Sequence, residues 1–142
     1  MALTYKRILC PVDFEENSLI ALDKAAEIAR HFGGAIILVH VLELVLVSGE
    51  IYVPPAMSED QEKAARAKLE DIAKQKLSGI THETLVYTGD VVACLMQAAS
   101  KHNADLIVIA THGRKGLARM ILGSVAEGVV RKARCPVLTI RE

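Results

Sequence analysis

Residues 106–124 read Leu106-Ile107-Val108-Ile109-Ala110-Thr111-His112-Gly113-Arg114-Lys115-Gly116-Leu117-Ala118-Arg119-Met120-Ile121-Leu122-Gly123-Ser124. The apolar run Leu106 to Ala110 has the form of a strand buried on both faces, as strands of parallel sheets are. The stretch from Ser124 to about Ala133 reads as a helix. A buried strand that passes through a glycine-bearing loop into a helix is the start of a β-α-β unit, so this segment predicts an α/β fold. The loop also carries chemistry. Gly113 and Gly123 lack a Cβ and let backbone approach a ligand closely. Gly123-Ser124 stands at a helix start, where free N–H groups and the helix dipole attract anions. The hydroxyls of Ser124 and Thr111 are candidate donors to phosphate, and Arg114, Lys115 and Arg119 add positive charge. From these residues alone two readings stay open: a phosphate-holding loop, or an ordinary loop whose Ser124 caps the next helix.

Outward from this segment the same alternation repeats. Arg7–Val12 reads as a first strand, followed by a loop over Asp13–Asn17 and a helix from Ser18 to Phe32 that ends at Gly33-Gly34. Ala35–Val41 is a second buried strand. Ser58, with Gln61 three residues later, matches a capping box and opens a second helix. Thr81–Thr88 is a more polar strand, expected at a sheet edge, and Asp90 caps a third helix. Val137–Arg141 is a fifth strand. The order β-α-β-α-β-α-β-α-β predicts a parallel sheet with helices on both faces. Such sheets bind ligands beyond the carboxyl ends of their strands, where strand order reverses. Those ends are Val12-Asp13, His40-Val41 and Ala110 onward.

Composition agrees and sets limits. The chain of 142 residues suits one domain over 1–142, with no linker or internal repeat. It is 51% hydrophobic but only 4% aromatic, so its core is aliphatic. The 17 basic and 17 acidic residues balance to a net charge of +0, which argues against a broad nucleic-acid or anionic-membrane surface. Cys10, Cys94 and Cys135 are odd in number and widely spaced, so neither a disulfide framework nor a paired-cysteine metal site is expected. His31, His40, His82 and His102 show no metal-ligand spacing. No signal-peptide core follows Met1 and no apolar run reaches membrane-spanning length, so a reducing cytoplasm is the expected location.

Generic nucleotide motifs are missing. No Walker pattern and no G-x-G-x-x-G follows any strand. Gly113-Arg114-Lys115-Gly116 matches the G-x-x-G of RNA-binding KH modules, but that loop joins two helices and this one follows a strand. A more specific pattern is present. Thr111-His112-Gly113, nine residues, Gly123-Ser124-Val125-Ala126-Glu127, and then Cys135-Pro136-Val137-Leu138-Thr139-Ile140 resemble the C-terminal signature of the universal stress protein family. Ile8-Leu9-Cys10-Pro11-Val12-Asp13-Phe14 and Val39-His40-Val41 resemble its first and second strands.

The resemblance implies an open, Rossmann-like, five-stranded parallel sheet of order 3-2-1-4-5. Some family members bind ATP and resemble one another in a G-x-x-G, nine residues, G-S/T pattern. Here the first glycine is Ala110, so the chain keeps Gly113, Gly123 and Ser124 and departs at one position. An Ala at negative φ costs little there, and one forced to positive φ is disfavoured. The resemblance also implies that Pro11, Val12 and Asp13 meet the ribose or adenine, and that Val41, Ile109 and Ala110 line the base. Thr111, His112, Gly113, Arg114, Gly123, Ser124 and Val125 would surround the phosphates. The implied ligand is ATP, or AMP or ADP, with any Mg²⁺ or Mn²⁺ held through phosphate oxygens and water. No protein metal ligand and no catalytic residue is assigned. The expected role is a nucleotide-binding stress-response module. The alternatives are a slow ATPase, for which no general base stands out, and a dimerisation domain without nucleotide.

Two further surfaces stand out. Leu42–Met57 is more apolar than a solvated loop, and Leu44–Val47 and Ile51–Val53 flank Ser48-Gly49-Glu50 as in a small hairpin. It covers the nucleotide, meets a partner, or packs on its own domain. Val137, Leu138, Thr139 and Ile140 would form an edge strand, and the resemblance implies a homodimer built by pairing that strand across a two-fold axis.

Overall fold

A computed structural model describes residues 3–44, 46–47, 49–51, 55–112 and 122–141. Its elements in chain order are β1 (Arg7–Pro11), α1 (Glu16–Phe32), β2 (Ala35–Glu43), β3 (Leu46–Val47), β4 (Glu50–Ile51), α2 (Pro55–Lys76), β5 (His82–Gly89), α3 (Val91–Lys101), β6 (Leu106–Ala110), α4 (Ser124–Lys132) and β7 (Val137–Ile140). The main sheet has the order β5-β2-β1-β6-β7, with every pairing parallel. Counting only its own strands, that is the expected 3-2-1-4-5.

The alternation of side chains along each strand divides the core into two layers. Ile8, Cys10, Ile36, Leu38, Leu106 and Val108 face one way and pack with Ala21, Leu22, Ala25 and Leu69 of α1 and α2. Leu9, Ile37, Val39, Ile107 and Ile109 face the other way and pack with Leu95 and Ala98 of α3 and Ala126 and Val129 of α4. Strands covered on both faces have no polar side to show, which is why they read as unbroken apolar runs.

Element ends follow local chemistry. Gly33 closes α1 in the left-handed conformation at φ 66, its N–H bonded to Ala29 O. Asp90 caps α3 by accepting from the Ala93 N–H at 2.9 Å. The polar strand β5 lies at an edge, as expected.

Three expectations are corrected. The second helix begins at Pro55, so Ser58 lies inside it and is not its cap; a proline at the first helical position gives up no hydrogen bond and has its φ already set. The first helix begins at Glu16, ahead of Ser18, because Ser18 turns back to bond Asp13. β1 ends at Pro11, although the Val12 N–H still bonds Val39 O at 2.8 Å. The apolar connection after β2 does contain a hairpin: β3 and β4 pair antiparallel, Leu46 with Ile51 and Val47 with Glu50, across Gly49 at φ 79. Val53 and Ser48 lie outside the described residues.

Candidate nucleotide site

Strand order reverses between β1 and β6. β1 leads to α1 on one face of the sheet, and β6 leads to α4 on the other. In sheets of this kind the carboxyl ends on either side of such a reversal are where ligands bind. Pro11 ends β1, Ala110 ends β6, and Val12, Asp13, Thr111 and His112 follow them. Val41 lies in β2, two positions past Val39, the partner of Pro11. Val41, Ile109 and Val125 belong to one apolar cluster, joined there by Leu122 and Tyr87. Three residues far apart in sequence are thus brought together from two strands and a helix. Gly113 and Arg114, with Lys115 and Arg119, lie outside the described residues.

The start of α4 is the anion-attracting element. Gly123 is its N-cap, with no side-chain cap, and Ser124 is the first helical residue. Of the two readings of Ser124, helix cap or hydroxyl donor, the first is not met: its hydroxyl is exposed and does not cap the helix. The first helical bond runs from the Glu127 N–H to Gly123 O. By helix geometry the amides of Ser124, Val125 and Ala126 then have no acceptor within the helix, and they concentrate the positive end of its dipole. The Gly123 N–H itself is engaged, donating to Thr111 O.

Ala110 has a clear answer. Among the described residues only Phe14 and Asn103 combine a side chain with positive φ, so Ala110 has the ordinary backbone of a strand residue. It pairs with Ile140 and packs in the cluster on the α1 face. Its methyl group therefore strains nothing in the backbone. Thr111 is buried and heavily used: its N–H bonds Ile140 O at 3.0 Å, its carbonyl takes the Gly123 N–H, and its hydroxyl lies 3.0 Å from His112 Nδ1. It ties β6 to β7 and to the start of α4.

The loop after β1 is equally tied. Asp13 Oδ1 accepts from the Glu15 N–H at 2.9 Å and from the Ser18 hydroxyl at 2.8 Å, which leaves Oδ2 for other partners. The Asp13 N–H donates to Ser18 Oγ at 3.1 Å. Val12 uses both backbone groups internally, its carbonyl meeting His40 Nδ1 at 2.7 Å. Because a carbonyl only accepts, Nδ1 of His40 carries the proton. Phe14 takes φ 69, which costs a bulky residue about 1–2 kcal/mol. Its ring lies against His40 at 4.3 Å between centroids, with Lys68 Nζ at 5.2 Å on the ring.

Relatives fix the lineage of the chain. A match to the universal stress protein family spans residues 4–141. This chain belongs to that family. The universal stress protein A homolog 1 of Coxiella burnetii is 35% identical over 141 residues, covering 96% of each chain. The solved universal stress protein MJ0577 of Methanocaldococcus jannaschii superposes with a TM-score of 0.84 at 25% identity, over 99% of this chain and 98% of that one. A universal stress protein solved in complex with cAMP superposes with a TM-score of 0.71 at 26% identity, over 98% of both chains.

Within this universal stress protein fold, the sequence placed His40 at a strand end but did not show its bond to the loop after β1. His40 shares the alternating face of Ile36 and Leu38 in an otherwise apolar series. Positive φ at a phenylalanine has no sequence signature. Burial pushes Cys10, Cys94 and Cys135 up from their usual range, with the charges of Asp23, Asp90 and Asp105 respectively adding to it. No group of three or more His, Cys, Asp or Glu able to hold a metal occurs among the described residues. A cavity of about 10 Å³ between Asn17, Ile20, Thr111, Ile140 and Arg141 has room for one water, not a nucleotide. An open groove of about 540 Å³ runs along the amino half of β5, away from the carboxyl ends of β1 and β6. No helix among the described residues is long and apolar enough to cross a membrane.

Proposed function

We propose that this universal stress protein binds an adenine nucleotide, ATP by preference, at the carboxyl ends of β1 and β6, beside the start of α4. The observation that carries the reading is the start of α4: a glycine-capped helix end, where the amides of Ser124, Val125 and Ala126 have no acceptor within the helix, at the point where the sheet reverses order. The phosphates would lie there, held by those amides and the Ser124 hydroxyl. The base would lie on the apolar cluster of Val41, Ile109 and Val125, and Asp13 Oδ2 would accept from ribose or base. Pro11, Val12 and Ala110 would shape the walls. A relative solved with cAMP supports an adenine nucleotide as the ligand class. When bound, Mg²⁺ or Mn²⁺ would neutralise phosphate charge through phosphate oxygens and water.

The chain would act as a one-domain cytoplasmic regulatory module, dimeric through β7, in which nucleotide occupancy sets partner contacts. The test is direct. Nucleotide-free protein is titrated with ATP and magnesium by calorimetry, beside Asp13→Ala and Ser124→Ala. Saturable binding is expected, weakened about tenfold or more by Asp13→Ala and several-fold by Ser124→Ala. A wild type without saturable binding would overturn the reading. Release of phosphate in the same mixtures would show the slow ATPase instead of a binding module alone.

A further inference from the structure

The Val12–Asp13 peptide is gripped at both ends. Its carbonyl oxygen takes the Nδ1–H of His40 at 2.7 Å, and its N–H donates to Ser18 Oγ at 3.1 Å. A peptide unit is planar, so fixing both polar ends fixes the plane and the Cα that follows it. That Cα belongs to Asp13, whose Oδ1 is in turn held by the Glu15 N–H and the Ser18 hydroxyl. The His40 ring is held by the ring of Phe14, which adopts φ 69 and lies under Lys68 Nζ. Strained backbone persists where surrounding contacts over-determine it, and such positions concentrate at working sites. Here the strain places a ring on His40, which reaches the loop after β1.

We propose that His40 is a positioning residue for nucleotide recognition: with Ser18 it locks the Val12–Asp13 peptide and so presents Asp13 Oδ2 to the ligand. The proposal rests on the nucleotide reading above and goes beyond it, because His40 itself need not touch the ligand. Its donor atom is fixed as Nδ1, so replacements sort by where they place an N–H. Asparagine puts its amide near the Nδ1 position. Glutamine puts it nearer Nε2. Phenylalanine keeps a ring against Phe14 and loses the donor.

The experiment measures ATP affinity for wild type, His40→Phe, His40→Gln, His40→Asn, Asp13→Ala and the double variant His40→Phe/Asp13→Ala. A second readout is amide hydrogen exchange at Glu15, whose N–H is bonded to Asp13 Oδ1, in the nucleotide-free protein. Expected are a loss of about tenfold in affinity for His40→Phe and His40→Gln, and a change within about threefold for His40→Asn. In the Asp13→Ala background His40→Phe should cause no further loss, since a residue acting through Asp13 is silent without it. Glu15 exchange should quicken in His40→Phe and stay slow in His40→Asn. Wild-type affinity in His40→Phe, equal losses in His40→Phe and His40→Asn, or full additivity with Asp13→Ala would each overturn the proposal. A wild type that binds no ATP removes the nucleotide reading, and the recognition role with it. Unchanged Glu15 exchange in His40→Phe removes the positioning role even where ATP binds.

Discussion

Gly34 keeps a negative φ but has no room for a side chain. A Cβ built there would lie 2.7 Å from the Tyr5 carbonyl oxygen and 3.2 Å from Lys6 Cα, and both are backbone atoms that cannot swing aside. Gly34→Ala should therefore destabilise by about 1–3 kcal/mol, read as a lowered urea midpoint with unchanged slope. The cysteines give a pH prediction. The folded protein holds thiol protons that the unfolded chain releases above about pH 9, since burial raises all three. Their contribution is intact below that pH and is lost as pH rises through the folded values, so unfolding free energy should fall above pH 9. Cys10→Ala should make that fall shallower. At Ala110 the sequence posed the question and only the backbone answered it. Family spacing marked the departure from glycine, whereas its φ depends on the strand it joins. Restoring the glycine should thus change ATP affinity within a few-fold and cost about 0.5–1 kcal/mol of stability.

At the scale of elements, ends written in local chemistry were legible. Asp90 was readable as a cap because capping is a short-range contact, and Asp90→Ala should cost about 1 kcal/mol in chemical unfolding. Gly33 was readable as a stop for the same reason. The start of α2 was not, because Ser58 and Gln61 imitate a capping box while Pro55 supplies the real first turn. The alternation of strands and helices carried the fold, since each strand buried on both faces is an apolar run that a helix must cover. What the alternation did not carry is the β1–α1 loop. Phe14 takes a left-handed backbone turn there, and His40 reaches Val12 from 28 residues away, while Ser18 bonds Asp13 from within the loop's own helix. Of the candidate site, the glycine-capped start of α4 and Asp13 were visible in the family spacing. The engagement of Thr111 with β7, and of Val12 with β2 and His40, needed the folded chain.

For the whole molecule, the sheet leaves two edges, β5 and β7. Leu138 on β7 is 40% exposed, a large apolar side chain on a strand with unpaired backbone groups. The dimer proposal predicts sedimentation as a dimer at micromolar concentration, and a shift toward monomer in Leu138→Lys; a monomeric wild type would contradict it. The central claim concerns another part of the architecture, the carboxyl ends of β1 and β6, where strand order reverses. It is tested most directly by amide NMR spectra recorded during an ATP and magnesium titration. Saturable shifts should centre on Asp13, Val41, Thr111 and Ser124–Ala126, with the amino ends of the strands, such as Arg7, Ala35 and Leu106, unmoved. Shifts confined to the β5 groove, or no saturable shifts at all, would contradict the account.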